Sequence, residues 1–225
     1  MIAEWVVVGA HRAPLQISAR IGYTPKKQTD AAGHVLNSVN KRAIDDFISL
    51  LKENEINLLA DVRAWPGSKR YPQFNKDTLA ESLTAHGIRY QHFPELGGKR
   101  KSKSGSRNTA WRNASFRGYA DYMETEQFQK GIERLLNVAG QGAAAWTAAE
   151  VKHDGWEAVT SWRTAIMCAE AVWWRCHRSL IADYLKARGV EMLHILSASK
   201  VEPHPYTSAA RIVNGELNYE AESLL

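Results

Sequence analysis

Only two cysteines, Cys168 and Cys176, occur among the 225 residues. That excludes the disulfide framework of small secreted domains, and a reducing compartment is the simpler setting. Long hydrophobic runs are also missing. The N-terminal run Trp5 to Ala10 is far shorter than the roughly 20 residues a membrane helix needs, and no basic segment precedes it as a signal peptide requires. A cytoplasmic protein with no membrane partner is expected. No internal repeat is visible, which disfavours a solenoid.

What is present fits one globular unit. A hydrophobic content of 44% with 24% charged residues argues against global disorder. A chain of this length can bury a full core. The net charge of +5, with a pI near 9.2, permits an anionic partner without requiring one.

The stretch from Arg163 to Leu196 organises the reading. Thr164 to Ala169 is a short apolar run, the pattern of a buried strand. Leu180, Ile181, Tyr184 and Leu185 form one helical stripe opposite Asp183, Lys186 and Arg188, and Gly189 supplies the stop. Val190 to Leu196 reads as a second strand, so the unit is strand, helix, strand with a crossover long enough for parallel pairing. Cys168, Glu170, Cys176, His177 and Arg178 fall between the first strand and the helix. Ligands of open α/β sheets bind at such places, where strand ends meet helix N-termini.

Upstream, residues 4 to 10 read as an extra edge strand or a poorly ordered leader. Ile17 to Gly22 reads as the first strand of the main sheet. Ile44, Phe47, Ile48 and Leu51 have helical spacing. Ile56 to Val62 is a strand running into Arg63 and Ser68, Asn75 caps a helix carrying Leu79 and Leu83, and Ile88 to Phe93 is a further strand leading to Gly97 and Gly98. The loop GGKRKSKSGSRN is flexible in composition, two short helices follow up to Gly140, and residues 140 to 163 break the rhythm.

This order predicts an α/β fold: a single Rossmann-like three-layer domain with a mainly parallel sheet of about five strands. The domain is expected over 17–219, after an N-terminal extension at 1–16, with an atypical insertion at 140–163 and a tail at 220–225. Loops after four strands would converge at one sheet edge. They bring Thr24, Arg63 and Ser68, Gly97 and Gly98, and Cys168 and Glu170.

The succession IGYT (21–24), DVRAWPGS (61–68), GIRY (87–90), ELGG (95–98), FRGYADYM (116–123) and MCAEAVWWRCHRSLIA (167–182) resembles the domain-of-unknown-function 488 family. The tail HPYTSAARIVNGELNY (204–219) is similar to one branch of it. The resemblance implies a compact α/β domain and marks Arg63, Ser68, Gly97, Gly98, Cys168, Glu170, Cys176, His177 and Arg178 as recurring polar positions. It implies no reaction and no cofactor. Residues 1–16 and 140–163 stand outside the shared pattern.

Each candidate has a bland counterpart. Cys168 reads as a nucleophile favoured by Arg175 or His177, or as a small buried hydrophobe. A phosphatase loop is excluded, since position 174 is Trp where arginine is required. Zinc could draw on Cys168, Glu170, Cys176 and His177, but the spacing is not Cys-x-x-Cys, and adjacent residues on a helix point about 100° apart; no metal ligand is assigned. Glu170 and His177 read as general acid and base, or Glu170 as the ion-pair partner of Arg63 or Arg178. Arg63, Ser68, Arg178, Gly97 and Gly98 suit a phosphate. Lys99 to Arg107 face nucleic acid or only solvent, and Trp65, Trp111, Trp173 and Trp174 stack on bases or fill the core.

The resulting expectation is an enzyme acting on a nucleotide, nucleic acid or other phosphorylated ligand. Cys168, Glu170 and His177 would be catalytic, and Arg63, Ser68, Gly97, Gly98, Cys176 and Arg178 would bind the ligand. The alternatives are a non-catalytic nucleic-acid-binding module and a zinc or redox protein centred on Cys168 and Cys176.

Overall fold

In the computed structural model of the chain, residues 5–9, 38–140, 163–170, 172–197 and 199–221 are described. Ile17 to Gly22, Thr24 and the interior of the 140–163 stretch lie outside the described residues. The elements are strands β1 (Trp5–Gly9), β2 (Leu58–Asp61), β3 (Arg89–His92), β4 (Arg163–Met167), β5 (Met192–Ser197), β6 (Lys200–Pro203), β7 (Arg211–Val213) and β8 (Glu216–Asn218). The helices are α1 (Ser38–Glu53), α2 (Lys76–Thr84), α3 (Ala114–Met123), α4 (Glu126–Gly140) and α5 (Arg178–Ala187).

Six strands form one mixed sheet in the order β3-β2-β4-β1-β5-β6, and β7 and β8 form a separate hairpin. Parallel pairing is confined to β3-β2-β4. This corrects the expectation of a mainly parallel five-stranded sheet. Residues 5–9 enter between β4 and β5 and pair antiparallel with both, so the two ends of the β4-α5-β5 unit are separated by a strand. The segment read as either an extra edge strand or a poorly ordered leader is thus an interior strand, which its unbroken apolar run WVVVG suits. β6 returns antiparallel after a tight turn, a connection too short for a parallel crossover.

Period-two alternation sends neighbouring residues of each parallel strand into opposite cores. Leu59, Ala165 and Met167 join Phe47, Ile48, Leu51, Leu79 and Leu83 under α1 and α2. Ala60, Ile166 and Cys168 join Tyr119, Phe128, Leu135, Leu180 and Leu185 under α3, α4 and α5. The i, i+3, i+4, i+7 stripe of α1 is buried as its spacing predicts. Asn75 does precede α2, yet its side chain makes no cap bond; its Oδ1 accepts the Ser68 amide at 2.5 Å instead.

Two features of the later chain carry weight below. The basic loop, mobile by composition, is tied to α3: the Lys103 amide donates to Asp121 Oδ2 at 2.7 Å, Asn108 Nδ2 to Asp121 Oδ1 at 2.9 Å, and Ser106 Oγ to the same oxygen. It crosses α3 at Gly118, where any Cβ would sit 2.5 Å from the Arg100 carbonyl oxygen.

The second feature pins the C-terminal segment to α5. Asp183, His194 and His204 are fully or almost fully buried. His204 lies 3.0 Å from Asp183 Oδ1 through Nε2 and 2.8 Å from His194 Nε2 through Nδ1. Thr207 Oγ1 and Tyr219 OH both donate to Asp183 Oδ2, at 2.5 and 3.0 Å. The hairpin turn then falls at Asn214-Gly215, both with positive φ, the signature of a type I′ turn.

Burial, with His204 and Arg178 as neighbours, lowers the His194 pKa to about 2. A histidine held neutral in the fold but free to take a proton when unfolded removes stability as pH falls below its unfolded value of about 6.5, by up to roughly 1.4 kcal/mol per pH unit. We expect urea denaturation at pH 6.5 and 4.5 to show wild type losing more stability than His194→Asn over that interval. Equal losses would mean that His194 titrates alike in both states.

Candidate functional site

Of the four connections expected to converge, those after β2, β3 and β4 meet at one edge of the sheet, and the one holding Thr24 lies outside the described residues. A cleft of about 420 Å³ opens there, lined by Arg63, Ala64 and Trp65 after β2, Gly98 and Lys99 after β3, Cys168, Ala169 and Glu170 after β4, and Arg175, Cys176 and His177 before α5. Asn113, Ser115, Phe116 and Tyr119 close it from the start of α3.

Its floor is sulfur and imidazole. Cys168 leaves β4, and Cys176 ends the one-turn helix Trp173–Arg175 in an extended conformation, directly before His177 at the N-cap of α5. The 100° argument against their acting together fails because neither Cys176 nor His177 is inside a helix. His177 Nδ1 lies 3.7 Å from Cys176 Sγ and 3.9 Å from Cys168 Sγ. All three ligand atoms lie within 4.8 Å of one another. The imidazole is held between the Tyr119 ring, 4.9 Å away, and Gly98, where a Cβ would sit 2.8 Å from Nδ1. Glycine at 98 thus serves close packing against this ring.

Beneath the sulfurs lies Arg178, with no exposed surface. Its Nε donates to Cys176 Sγ at 3.3 Å and its Nη2 to the Glu170 carbonyl at 2.8 Å. Among the described residues no carboxylate pairs with it, and Nη1 has no hydrogen-bond partner. Burial alone would raise the Cys176 pKa, but the Cys168 thiol, the Arg178 guanidinium and His177 together bring it well below the usual thiol range. Cys168 moves the other way: the hydrogen bond it shares with Cys176, then its own burial, push its pKa well up.

Other predicted positions are occupied elsewhere. Arg63 borders the cleft, but each guanidinium nitrogen has an internal partner. Nε and Nη2 reach Asp61 at 2.9 and 2.6 Å, and Nη1 reaches the Phe74 carbonyl at 2.9 Å. Burial works against its charge, yet the bonds to Asp61 keep its pKa above normal. Tyr90 OH donates to the same carboxylate at 2.6 Å. Glu170 forms neither of the ion pairs considered for it; Arg178 meets its carbonyl rather than its side chain. Ser68 accepts from the Tyr71 amide at 3.1 Å in a turn away from the cleft, and a Cβ at Gly97 would sit 2.9 Å from Ala64. In the basic loop, Arg107 pairs with Glu124 at 3.0 Å and Arg100 lies over the Tyr122 ring at 3.7 Å. That leaves Lys99 and Arg175 as exposed cations on the cleft wall, beside Trp65, which is itself 76% exposed.

A family model described as Domain of unknown function DUF488 matches residues 43–156 and 152–185. The chain belongs to that family. No curated protein and no solved structure matches it. Every cleft-lining residue falls inside the DUF488 stretch, whereas His194, His204, Thr207 and Tyr219 lie beyond it. That second buried cluster was missed in the sequence, although HPYT placed a histidine and a threonine three residues apart, a spacing that one buried carboxylate can bridge.

Because the Asp61 carboxylate is buried and depends on one guanidinium, Arg63→Ala should cost about 3–5 kcal/mol of stability, the usual cost of orphaning a buried charge. Urea denaturation measures this directly. A loss below about 1 kcal/mol would place Arg63 among exposed, weakly held groups.

Proposed function

We propose that the protein is an enzyme acting on a mononucleotide or similar anionic ligand carrying an aromatic ring, bound in the cleft above Cys168, Cys176 and His177. The observation that carries this reading is the meeting, in one opening, of an aromatic and cationic wall with a buried sulfur and imidazole floor. Trp65 offers an exposed face for stacking, and Lys99 Nζ lies 5.9 Å from that ring. A ligand stacked on Trp65 would therefore meet a cation at once. Arg175 supplies a second cation with a planar fork for phosphate. Lys99 holds this place in a left-handed conformation, φ 62°, a region non-glycine residues seldom adopt and one that recurs at functional sites.

A volume near 420 Å³ fits a small ligand rather than a strand of nucleic acid, since small-molecule pockets run from about 300 to 1,000 Å³. The basic loop adds little to a nucleic-acid surface, because Arg100 and Arg107 have partners within the chain. Arg63 drops out of the ligand set because its guanidinium is bonded within the chain, and Ser68 and Gly97 because neither lines the cleft. Glu170 remains as the carboxylate of the wall.

Thermal-shift measurements with mononucleotides test this. At a ligand concentration 100 times Kd, binding stabilises the fold by about 2.7 kcal/mol, a rise in Tm of roughly 5–10 °C for a chain of this size. The rise should be lost in Lys99→Ala/Arg175→Ala and reduced in Trp65→Ala. If no mononucleotide raises the Tm of wild type, the reading is wrong.

A further inference from the structure

We infer that Cys168, Cys176 and His177 form a zinc site with three protein ligands, whose fourth coordination position opens into the cleft. It rests on the preceding reading only in taking the cleft as the functional opening; the metal and the nucleotide bind through different residues.

The separations of the donor atoms argue for it. With Zn–S of about 2.3 Å and Zn–N of about 2.0–2.1 Å, tetrahedral geometry places a sulfur and a nitrogen roughly 3.5 Å apart and two sulfurs roughly 3.8 Å apart. His177 Nδ1 lies 3.7 and 3.9 Å from the two sulfurs, and the set stays within 4.8 Å. The two nitrogen–sulfur separations need to close by only a few tenths of an ångström, and the two sulfurs by at most about 1 Å. A cation shared by the three groups accounts for one nitrogen standing almost equally far from two sulfurs.

The surroundings supply what zinc thiolates require. Each sulfur receives one N–H: Cys176 from Arg178 Nε at 3.3 Å, and Cys168 from the Glu170 backbone amide. Donors of this kind orient ligands and limit the negative charge on sulfur. The ring of His177 is fixed from both sides by Tyr119 and Gly98, with Nδ1 toward the sulfurs. Two thiolates and a neutral imidazole around a dication leave no net charge, so the Arg178 charge remains a single buried cation stabilised by the sulfurs. Soft thiolates with one imidazole select zinc over magnesium or calcium. Structural zinc sites are closed by four protein ligands, whereas here three are present and all three line the cleft. The open position would face the bound ligand.

The test uses the full chain, stripped with a chelator and kept reduced. Cobalt(II), a spectroscopic stand-in for zinc, should bind one equivalent and give sulfur-to-metal charge-transfer absorption with intense tetrahedral bands in the visible. Zinc should displace it stoichiometrically. Cys168→Ser and His177→Ala should each weaken zinc binding at least tenfold, with folding checked by circular dichroism. A folded wild type that takes up no cobalt overturns the proposal, and so does a folded Cys168→Ser variant with an unchanged cobalt spectrum. Nucleotide-induced thermal shifts of the stripped protein are scored separately. Metal bound without any nucleotide response would support the zinc site and overturn the nucleotide reading; a nucleotide response without metal uptake would do the reverse.

Discussion

The guanidinium of Arg178, with no access to water, donates to Cys176 Sγ and helps to lower the pKa of that thiol, and the cleft is arranged around this pair. Removing such an ion from water costs several kcal/mol, and the cost is tolerable only where a charge or well-placed acceptors compensate. Here the compensation comes from Cys176 Sγ and the Glu170 carbonyl. These two acceptors belong to the segments leaving β4 and entering α5. One side chain therefore fixes both walls of the sulfur floor.

The C-terminal segment supports this arrangement from behind. Trp173, in the same turn as Arg175, stacks on the His194 ring at 4.2 Å. His194 meets His204, which meets Asp183 in the second turn of α5. A chain of buried polar contacts thus runs from the tail to the turn that carries Cys176. Within it His194 Nδ1 is buried with no hydrogen-bond partner among the described residues, so the ring is held by its Nε2 contact and by the Trp173 stack. The stretch matched by the DUF488 family provides the cleft, and residues beyond it brace the cleft floor.

Much of this was legible in the sequence. The apolar stripe of α1, the strand before Cys168 and the clustering of Cys176, His177 and Arg178 at the start of α5 follow from periodicity and from where polar residues appear as strands end. Two things were hidden. The placement of residues 5–9 depends on which edges are left unpaired by the rest of the sheet, and a run such as WVVVG carries no sign of its partner or direction. The second is the use of arginines: Arg63 and Arg178 look alike as phosphate forks, but Asp61, two residues from Arg63, consumes one of them in an ion pair that spacing alone does not reveal. The helix rule misjudged Cys176 and His177 because it assumed that α5 began earlier than it does.

If the buried Arg178 charge is balanced by Cys176, removing either partner alone should harm the fold more than removing both. A double-mutant cycle with Cys176→Ser, Arg178→Met and their combination, read by urea denaturation of metal-free protein, measures that coupling. A coupling of about 2–3 kcal/mol, with the double variant more stable than Cys176→Ser alone, is the expected result. Additive losses would contradict it, because a guanidinium indifferent to the sulfur beside it cannot be what organises the cleft.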